Sequence, residues 1–477
     1  MPAPRDALAA LEGLRADDLP THGGRTLAYV YDSGLADADE LGRQALAMYG
    51  ATNGLDPTAF PSLLHMERDL VAFARDLLHG DDAVVGSVTS GGTESILLAV
   101  KAARDAVDAP ARPAMVAPTT IHAAFAKAAH FLGVELVTVD VDPTSRRADV
   151  AAMTEAMDAL GDRLVLVAAS TPSYAHGVID PIADLAAIAS QRGVRFHVDA
   201  CIGGWVLPWV DDAPAWDFAV PGVTSVSADL HKYAYTPKGV SLLLHRTPAH
   251  RRSQFFASAA WPGYTMLNAT VQSTKSGGPL AAAWAVVRHI GADGYRDLVA
   301  RTIDATRALA EHVHGIDHLE VVTAPDSSLV CVRADDTLDV FSLSDALLRR
   351  GWFVQPQMSF TRHDGAVEDP TLHFTMCAAT APHLPELVEA LRASVAECVE
   401  AGPIAVDPEL RALAASLDPA TLDDATFDLL LQTAGLGDAA GEVDVPSEMA
   451  GVNALLDIAP PALREALLVA YLDRLTR

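Results

Sequence analysis

The residues best suited to chemistry sit in one stretch, Ser225 to Gly239, which reads SVSADLHKYAYTPKG. Four small strand-type residues, Ser225 to Ala228, run into Asp229 and then into the dipeptide His231-Lys232. A turn with a second lysine, Lys238, follows, and an apolar strand pattern resumes from Val240 to His245. A lysine at the mouth of a buried strand is costly, because burial disfavours the ammonium form. The same burial frees the amine for nucleophilic, Schiff-base chemistry. The plain alternative for Lys232 is a surface lysine in a turn, since lysine is mostly exposed.

Three other groups tip the balance. SGGTES, Ser90 to Ser95, ends an apolar run and opens a helix. Gly91 and Gly92 allow close backbone approach, Thr93 adds a hydroxyl, and a helix N-terminus offers unpaired N–H groups to a phosphate. Asp199 ends the strand pattern RFHVDA. A carboxylate among apolar strand residues needs a cationic partner, and a protonated pyridine nitrogen would serve. His122 opens the segment HAAFAKAA and could lie against an aromatic ring, or be a polar helix start. Lysine amine, phosphate seat and carboxylate together point to pyridoxal 5'-phosphate as cofactor, with Lys232 as its attachment point.

The elements that must position these groups alternate. Apolar runs at residues 84–90, 114–118, 134–141, 163–170, 195–200, 223–228 and 239–245 are separated mostly by helix-length segments. Such alternation predicts an α/β fold with a mainly parallel sheet covered on both faces. In those sheets ligands bind beyond the carboxyl ends of the strands, where Ser90–Thr93, His122, Ser170–His176, Asp199 and His231-Lys232 all fall. Ahead of the sheet, Leu41, Ala45 and Met48 are expected to form the inner face of a helix over 37–50. Ser62 is expected to cap a second helix built on Leu63, Met66 and Leu70.

The chain has 477 residues, too many for one simple core, and a net charge of −28. So acidic a chain is a poor partner for nucleic acid or an anionic membrane. No run of 18 apolar residues exists and MPAPRDALAALEGL lacks a signal-peptide core, so no membrane insertion is expected. Four dispersed cysteines suit reduced thiols and a cytoplasmic location. The histidines and cysteines show no metal-binding spacing, so no metal is expected.

SGGTES, HAAFAKAA, STPSYAHGVIDP, HVDACIGGW and TSVSADLHKYAYTPKG, in this order, closely resemble pyridoxal-phosphate group II decarboxylases, and specifically the sphingosine-1-phosphate lyase branch. QFFASAAWPGYTM, TKSGGPLAAAWAVV and the C-terminal NALLDIAPPALREALLVAYLDRL extend the resemblance over nearly the whole chain. It implies the aspartate-aminotransferase type fold (fold type I), with a large domain and a smaller α+β C-terminal domain. It also implies a homodimer with a shared active site. By resemblance Lys232 is the Schiff-base lysine, Asp199 the ring-nitrogen partner and His122 the ring-stacking residue. Gly91, Gly92, Thr93 and His231 form the phosphate seat, and Thr274 contacts the phosphate from the second subunit. Tyr31, Asn53, Tyr174 and Lys238 match substrate-side positions. Where the lyase pattern carries a histidine three residues after the asparagine, this chain has Asp56. A carboxylate there repels a phosphorylated substrate and favours a neutral or cationic distal group.

The expected organisation is an arm over 1–58, a cofactor domain over 59–290, a small α+β domain over 291–400 and an acidic helical extension over 401–477. That extension holds 13 acidic and 4 basic residues, and structural packing is its expected role rather than binding. The expected activity is cleavage of the Cα–Cβ bond of a β-hydroxy amine or amino acid. The core motifs serve amino-acid decarboxylation equally well, and a catalytically silent binding protein on the same fold is the third reading.

Overall fold

Each of the seven apolar runs becomes a strand of one sheet in the computed structural model, which describes residues 4–107, 112–422, 424–427 and 447–476. The strands are β1 (Val85–Thr89), β2 (Ala114–Pro118), β3 (Glu135–Val139), β4 (Leu164–Ser170), β5 (Arg195–Asp199), β6 (Ser225–Ala228) and β7 (Ser241–His245). Their order is β1-β7-β6-β5-β4-β2-β3. The pairs β2–β3, β2–β4, β4–β5 and β5–β6 are parallel, while β7 runs antiparallel to both neighbours. Six strands therefore point one way, and their carboxyl ends deliver Ser90, Ser170, Asp199 and Asp229 to one edge of the sheet. Strands β2, β4, β6 and β7 are buried throughout, which is why they read as unbroken apolar runs.

Helices cover the sheet: α3 (Pro61–Leu77), α4 (Gly92–Arg104), α5 (Ala124–Leu132), α6 (Val150–Leu160) and α7 (Ile182–Gln191). They follow α1 (Pro4–Leu14) and α2 (Ala36–Met48) of the arm and precede α8 (Pro248–Arg252) and α9 (Gly277–His314). Helix α9 breaks at Gly291, whose φ of 62° is the left-handed conformation glycine adopts freely. Past the break, the fully buried Tyr295 donates from its hydroxyl to Ala234 O at 2.9 Å. Tyr233 likewise donates to Met376 O at 2.6 Å. These two bonds fix the loop that carries Lys232.

Two local expectations need correction. Helix α2 buries Ala38 and Gly42, not the Leu41/Ala45/Met48 face, and Met48 is 77% exposed. Gly42 is what allows the close approach: a Cβ there would stand 3.2 Å from Pro237 Cγ. Ser62 does not cap α3; the cap is Phe60, and Pro61 takes the first helical position, where its missing N–H costs nothing.

The loop 171–180 after β4 is held by Asp180. Its two carboxylate oxygens accept from Ala148 N and Ser170 N, both at 2.8 Å, and the side chain is 2% exposed. Burial pushes its carboxyl up to about 6 against those two donors and Arg147. Asp180→Asn puts an amide NH2 against one of the donors, so unfolding free energy in urea should fall by about 1–3 kcal/mol. The raised value also fixes a sign. The carboxyl's contribution is complete below its ordinary 3.8 and is lost as pH rises through about 6, so this pH dependence should vanish in the variant.

By internal contacts the chain divides into two compact units. The first contains 1–310, 323–331 and 375–384. Within it the arm is tied down: Leu27 and Ala28 are fully buried, and Thr375 N donates to Leu27 O at 2.8 Å. His22, Asp32 and Asp39 bring three ligand-type groups together in the arm, a set the sequence spacing did not reveal. Asp32 is already engaged there, accepting from Gly23 N at 2.7 Å and Gly34 N at 2.9 Å.

The second unit contains 311–322, 332–374 and 385–477. It includes helices Val340–Arg349, Leu384–Ala401, Pro408–Ser416, Ala450–Ile458 and Pro461–Leu475. Asp345 accepts from Met449 N and Ala450 N at the start of helix Ala450–Ile458, and Arg349 pairs with both Glu397 and Glu448. Residues 428–446 of the acidic extension lie outside the described residues. Among the described residues no helix is long and apolar enough to cross a membrane.

Candidate active site

A cavity of about 360 Å³ opens at the carboxyl edge of the sheet, within the range of roughly 300–1,000 Å³ usual for small-molecule sites. Gly91, Gly92, Thr93, His122, Asp199, His231 and Lys232 all line it, although they come from four separate stretches of chain. Ser90, Asp229 and Cys201 line it too. The sequence pattern placed Ser90 at a ligand-binding strand end but assigned no role to Asp229 or Cys201.

Asp229 is the most consequential of them. Its carboxylate is 2% exposed and lies 3.0 Å from the Lys232 ammonium. It also accepts from Ser241 Oγ at 2.5 Å and lies 3.6 Å from His231 Nε2. Desolvation alone would pull Lys232 down, but Asp229, followed by Tyr31, Cys201 and Asp199, outweighs it and lifts the ammonium well above its ordinary value. The expected depressed lysine is therefore corrected: in this chain Lys232 is a held ammonium, because a carboxylate was folded in beside it. The only sequence signal for the pair was the i, i+3 spacing across a strand end, which has no fixed geometry outside a helix.

The residues expected to seat a phosphate lie at the start of α4. Its first N–H groups have no intrahelical acceptor and point along the helix axis. Glu94 ties the seat in place, accepting from Ser90 N at 2.7 Å through one oxygen and from Val271 N and Gln272 N through the other. Its charge is thus spent on internal donors. A Cβ at Gly91 would meet His231 Cε1 at 3.3 Å. At Gly92 it would stand 2.6 Å from Cys201 Sγ and 3.0 Å from both Asp229 oxygens. The two glycines thus let the start of α4 pack directly against His231, Cys201 and Asp229, and a lysine, a carboxylate and a free helix N-terminus around one cavity fit pyridoxal phosphate. Gly92→Ala should weaken retention of the added cofactor about tenfold or more in equilibrium dialysis, equivalent to on the order of 1.4 kcal/mol.

His231 Nδ1 accepts from Val240 N at 3.2 Å, and burial lowers its pKa, so the ring is neutral with its proton on Nε2. His122 is exposed at the rim, and its Nδ1 accepts from Ala124 N at 3.1 Å, where it serves the start of α5. Asp199 is 7% exposed and accepts from Cys201 N at 3.1 Å through Oδ1.

The remaining predicted positions do not line this cavity. Tyr31 packs edge-on against Tyr233, with ring centroids 5.0 Å apart, and Lys238 Nζ lies 4.9 Å above the Tyr31 ring. Lys238 also donates to Tyr29 O at 2.9 Å. Desolvation, and then the Lys232 charge, pull its ammonium down to about 8, although the residue keeps an exposed flank. Tyr174 is close enough to Tyr31 and Lys232 to feel their charges, and burial raises its hydroxyl. Asn53, Asp56 and Thr274 sit on two joined loops. Gly54 N donates to Lys275 O and Gly277 N to Thr52 O, both at 2.9 Å, which joins the 53–56 turn to the 274–277 loop. Asp56 is exposed there and accepts from Thr58 N and Oγ1 at 2.8 and 2.7 Å.

Residues 32–335 match the pyridoxal-dependent decarboxylase conserved domain. Residues 408–474 match a C-terminal domain of pyridoxal-dependent enzymes described as helix-turn-helix. Among curated proteins, the chain is 37% identical over 314 residues to the sphingosine-1-phosphate lyase of Dictyostelium discoideum and 36% identical over 354 residues to sphingosine-1-phosphate lyase 1 of Rattus norvegicus. These alignments cover 65% and 73% of this chain but only 58% and 61% of those lyases. A "Probable L-tyrosine/L-aspartate decarboxylase" of Methanothrix thermoacetophila is 35% identical over 68% of this chain and 80% of its own. Among solved structures, the sphingosine-1-phosphate lyase of Burkholderia pseudomallei superposes with a TM-score of 0.76 at 31% identity, over 84% of this chain and 92% of that one. Glutamate decarboxylase of Lactobacillus brevis shares the fold, with a TM-score of 0.74 at 20% identity over 85% and 95% of the two chains.

Proposed function

The chain belongs to the pyridoxal-dependent decarboxylase family, and from that membership we propose that it is a lyase cleaving the Cα–Cβ bond of a β-hydroxy amine or β-hydroxy amino acid. The observation that carries this reading is the 31% identity to the Burkholderia lyase across 92% of that chain, against 20% for the glutamate decarboxylase. Decarboxylation of an amino acid is the second reading, favoured by the Methanothrix relative.

The cofactor is pyridoxal phosphate. When bound it supplies an electron sink for the pair left on the substrate's Cα when a bond there breaks. Lys232 is the residue that attaches it, and Asp229, 3.0 Å away, orients the lysine nitrogen and receives its proton's hydrogen bond. Gly91, Gly92 and Thr93 would hold the phosphate through the free N–H groups of α4, with the neutral His231 beside them. Asp199 would hold a proton on the ring nitrogen of the bound cofactor, and His122, exposed at the rim, would cover the ring. Tyr31, Tyr174 and Lys238 form the substrate side, where Lys238, pulled down to about 8, is suited to carry a proton near neutral pH.

Asn53, Asp56 and Thr274 complete the site of a second copy in a homodimer. Support comes from their joined loops, which lie outside this chain's own cavity, and from the apolar surface that adjoins them in sequence. Phe256, Trp261, Tyr264, Leu267 and Val271 are each 47% or more exposed on the segment leading into Thr274, a concentration that marks an interaction surface. The four cysteines are free and buried, which suits a reducing cytoplasm.

The test is a product assay on the protein loaded with pyridoxal phosphate. Substrates are a long-chain 2-amino-3-hydroxyalkane with and without a terminal phosphate, L-tyrosine and L-aspartate. Aldehyde release from the amino alcohols supports the proposal, and the ionised Asp56 predicts higher kcat/KM without the phosphate. CO2 from the amino acids with no aldehyde from any amino alcohol overturns it in favour of decarboxylation.

A further inference from the structure

Beneath the cofactor seat, strands β5 and β6 carry four polar residues on one face. The parallel register pairs His197 with Ser225 and Asp199 with Ser227, and the two-residue repeat of a strand keeps all four on the same side. None is more than 7% exposed, and His197 and Ser227 are fully buried. A buried histidine flanked by two serines has no packing purpose that an aliphatic side chain would not serve better.

The hydrogen bonds among them have only one consistent direction. Burial pulls His197 down to about 4, so the ring is neutral and donates from one nitrogen only. Asp199 Oδ1 is an acceptor, so the Ser227 hydroxyl proton, 3.4 Å away, points to it. Ser227 Oγ must then accept from His197 Nε2, at 3.2 Å. His197 Nδ1 is left as an acceptor, and the Ser225 hydroxyl donates to it at 2.9 Å. The thiol of Cys201 approaches Ser227 Oγ at 3.4 Å as a second, weaker donor, while Cys201 N donates to Asp199 Oδ1 at 3.1 Å. Every proton runs from Ser225 through His197 and Ser227 toward Asp199, and Oδ1 takes the incoming bonds, leaving Oδ2 for a ligand.

We propose that His197, Ser225 and Ser227 are positioning residues that orient the Asp199 carboxylate toward the ring nitrogen of pyridoxal phosphate. The proposal rests on the reading of Asp199 as the ring-nitrogen partner. The chain acts through Asp199 alone and touches neither cofactor nor substrate. Its last link is long for a hydroxyl bond, which makes Ser227 the residue to test.

The experiment uses the full chain loaded with pyridoxal phosphate labelled with 15N in the ring, whose nitrogen resonance separates the protonated from the neutral ring. Ser227→Ala removes one oxygen, and Ser227→Thr restores the hydroxyl. We expect Ser227→Ala to bind cofactor within about tenfold of wild type, to move the resonance toward the neutral ring and to lower kcat roughly 10–100-fold, the scale for partners that orient a liganding group. Ser227→Thr should return both resonance and kcat toward wild type. Ser225→Ala breaks the chain one bond earlier and should move the resonance the same way by less. This variant keeps the test open should Ser227→Ala fail to fold. Asp199→Asn separates the role of Asp199 from that of the residues behind it. If it shifts the resonance while Ser227→Ala and Ser225→Ala leave it at the wild-type position, the positioning chain is wrong. If Asp199→Asn also leaves it unmoved, the ring-partner reading itself fails.

Discussion

Lys232→Arg should fold like the wild type and turn over at least about 10⁴-fold more slowly, the scale seen when one member of a catalytic unit is lost. Arginine at this position separates charge from nucleophilicity. A guanidinium keeps a positive partner for Asp229, which is 2% exposed and sits 3.0 Å from the lysine nitrogen. It stays protonated and cannot attack the aldehyde of pyridoxal phosphate. The cavity of about 360 Å³ gives the longer side chain room. Lys232→Ala should be equally inactive and also less stable by about 3–5 kcal/mol, the cost of stranding a buried carboxylate. Turnover by Lys232→Arg within tenfold of wild type would remove Lys232 from the chemistry. Full stability of Lys232→Ala would show that the Asp229 pair carries no weight.

Asp199→Asn should bind cofactor nearly as well as the wild type but lose roughly 10³-fold or more in kcat. The amide oxygen can keep the bond from Cys201 N and the approach of Ser227 Oγ, so the geometry survives. What is lost is the negative charge that makes a protonated ring nitrogen favourable, and with it the sink for the electron pair on Cα. Cofactor affinity and kcat measured on the same preparation separate the two effects. Equal losses in both would mean that Asp199 shapes the seat rather than tuning the ring.

Much of this site was legible in the sequence because of how parallel sheets are built. Buried strands read as unbroken apolar runs, so β2, β4, β6 and β7 could be bounded almost to the residue. Knowing that such strands present their carboxyl ends to ligands then gathered Thr93, His122, Asp199 and Lys232 into one place without any distance information. Strand order was not legible. Nothing in VSLLLH says that β7 inserts between β1 and β6 and runs against both. That reversal brings Ser241 back to the active edge, within 2.5 Å of Asp229.

Pair partners were legible only where chemistry required them. Asp199 stood out because a carboxylate inside a strand needs a cation. Asp229 did not, because an acidic residue after a strand is usually a turn residue facing water. The sign of the Lys232 shift followed from that omission: desolvation was foreseen and its partner was not. The α2 face was misjudged for a related reason. Apolar size points to Met48, but close packing against Pro237 selects the small Gly42. The His197–Ser225–Ser227 chain was invisible in principle, since it depends on the register of β5 against β6.

The central claim is that the cavity around Lys232 is the seat where pyridoxal phosphate attaches to the chain. Borohydride reduction of the loaded protein, followed by proteolysis and mass spectrometry, tests it most directly. The expected result is loss of the visible absorbance and a single phosphopyridoxyl-bearing peptide, with the label on Lys232. Label on Lys238, Lys275 or any other lysine, with Lys232 unmodified, would contradict it.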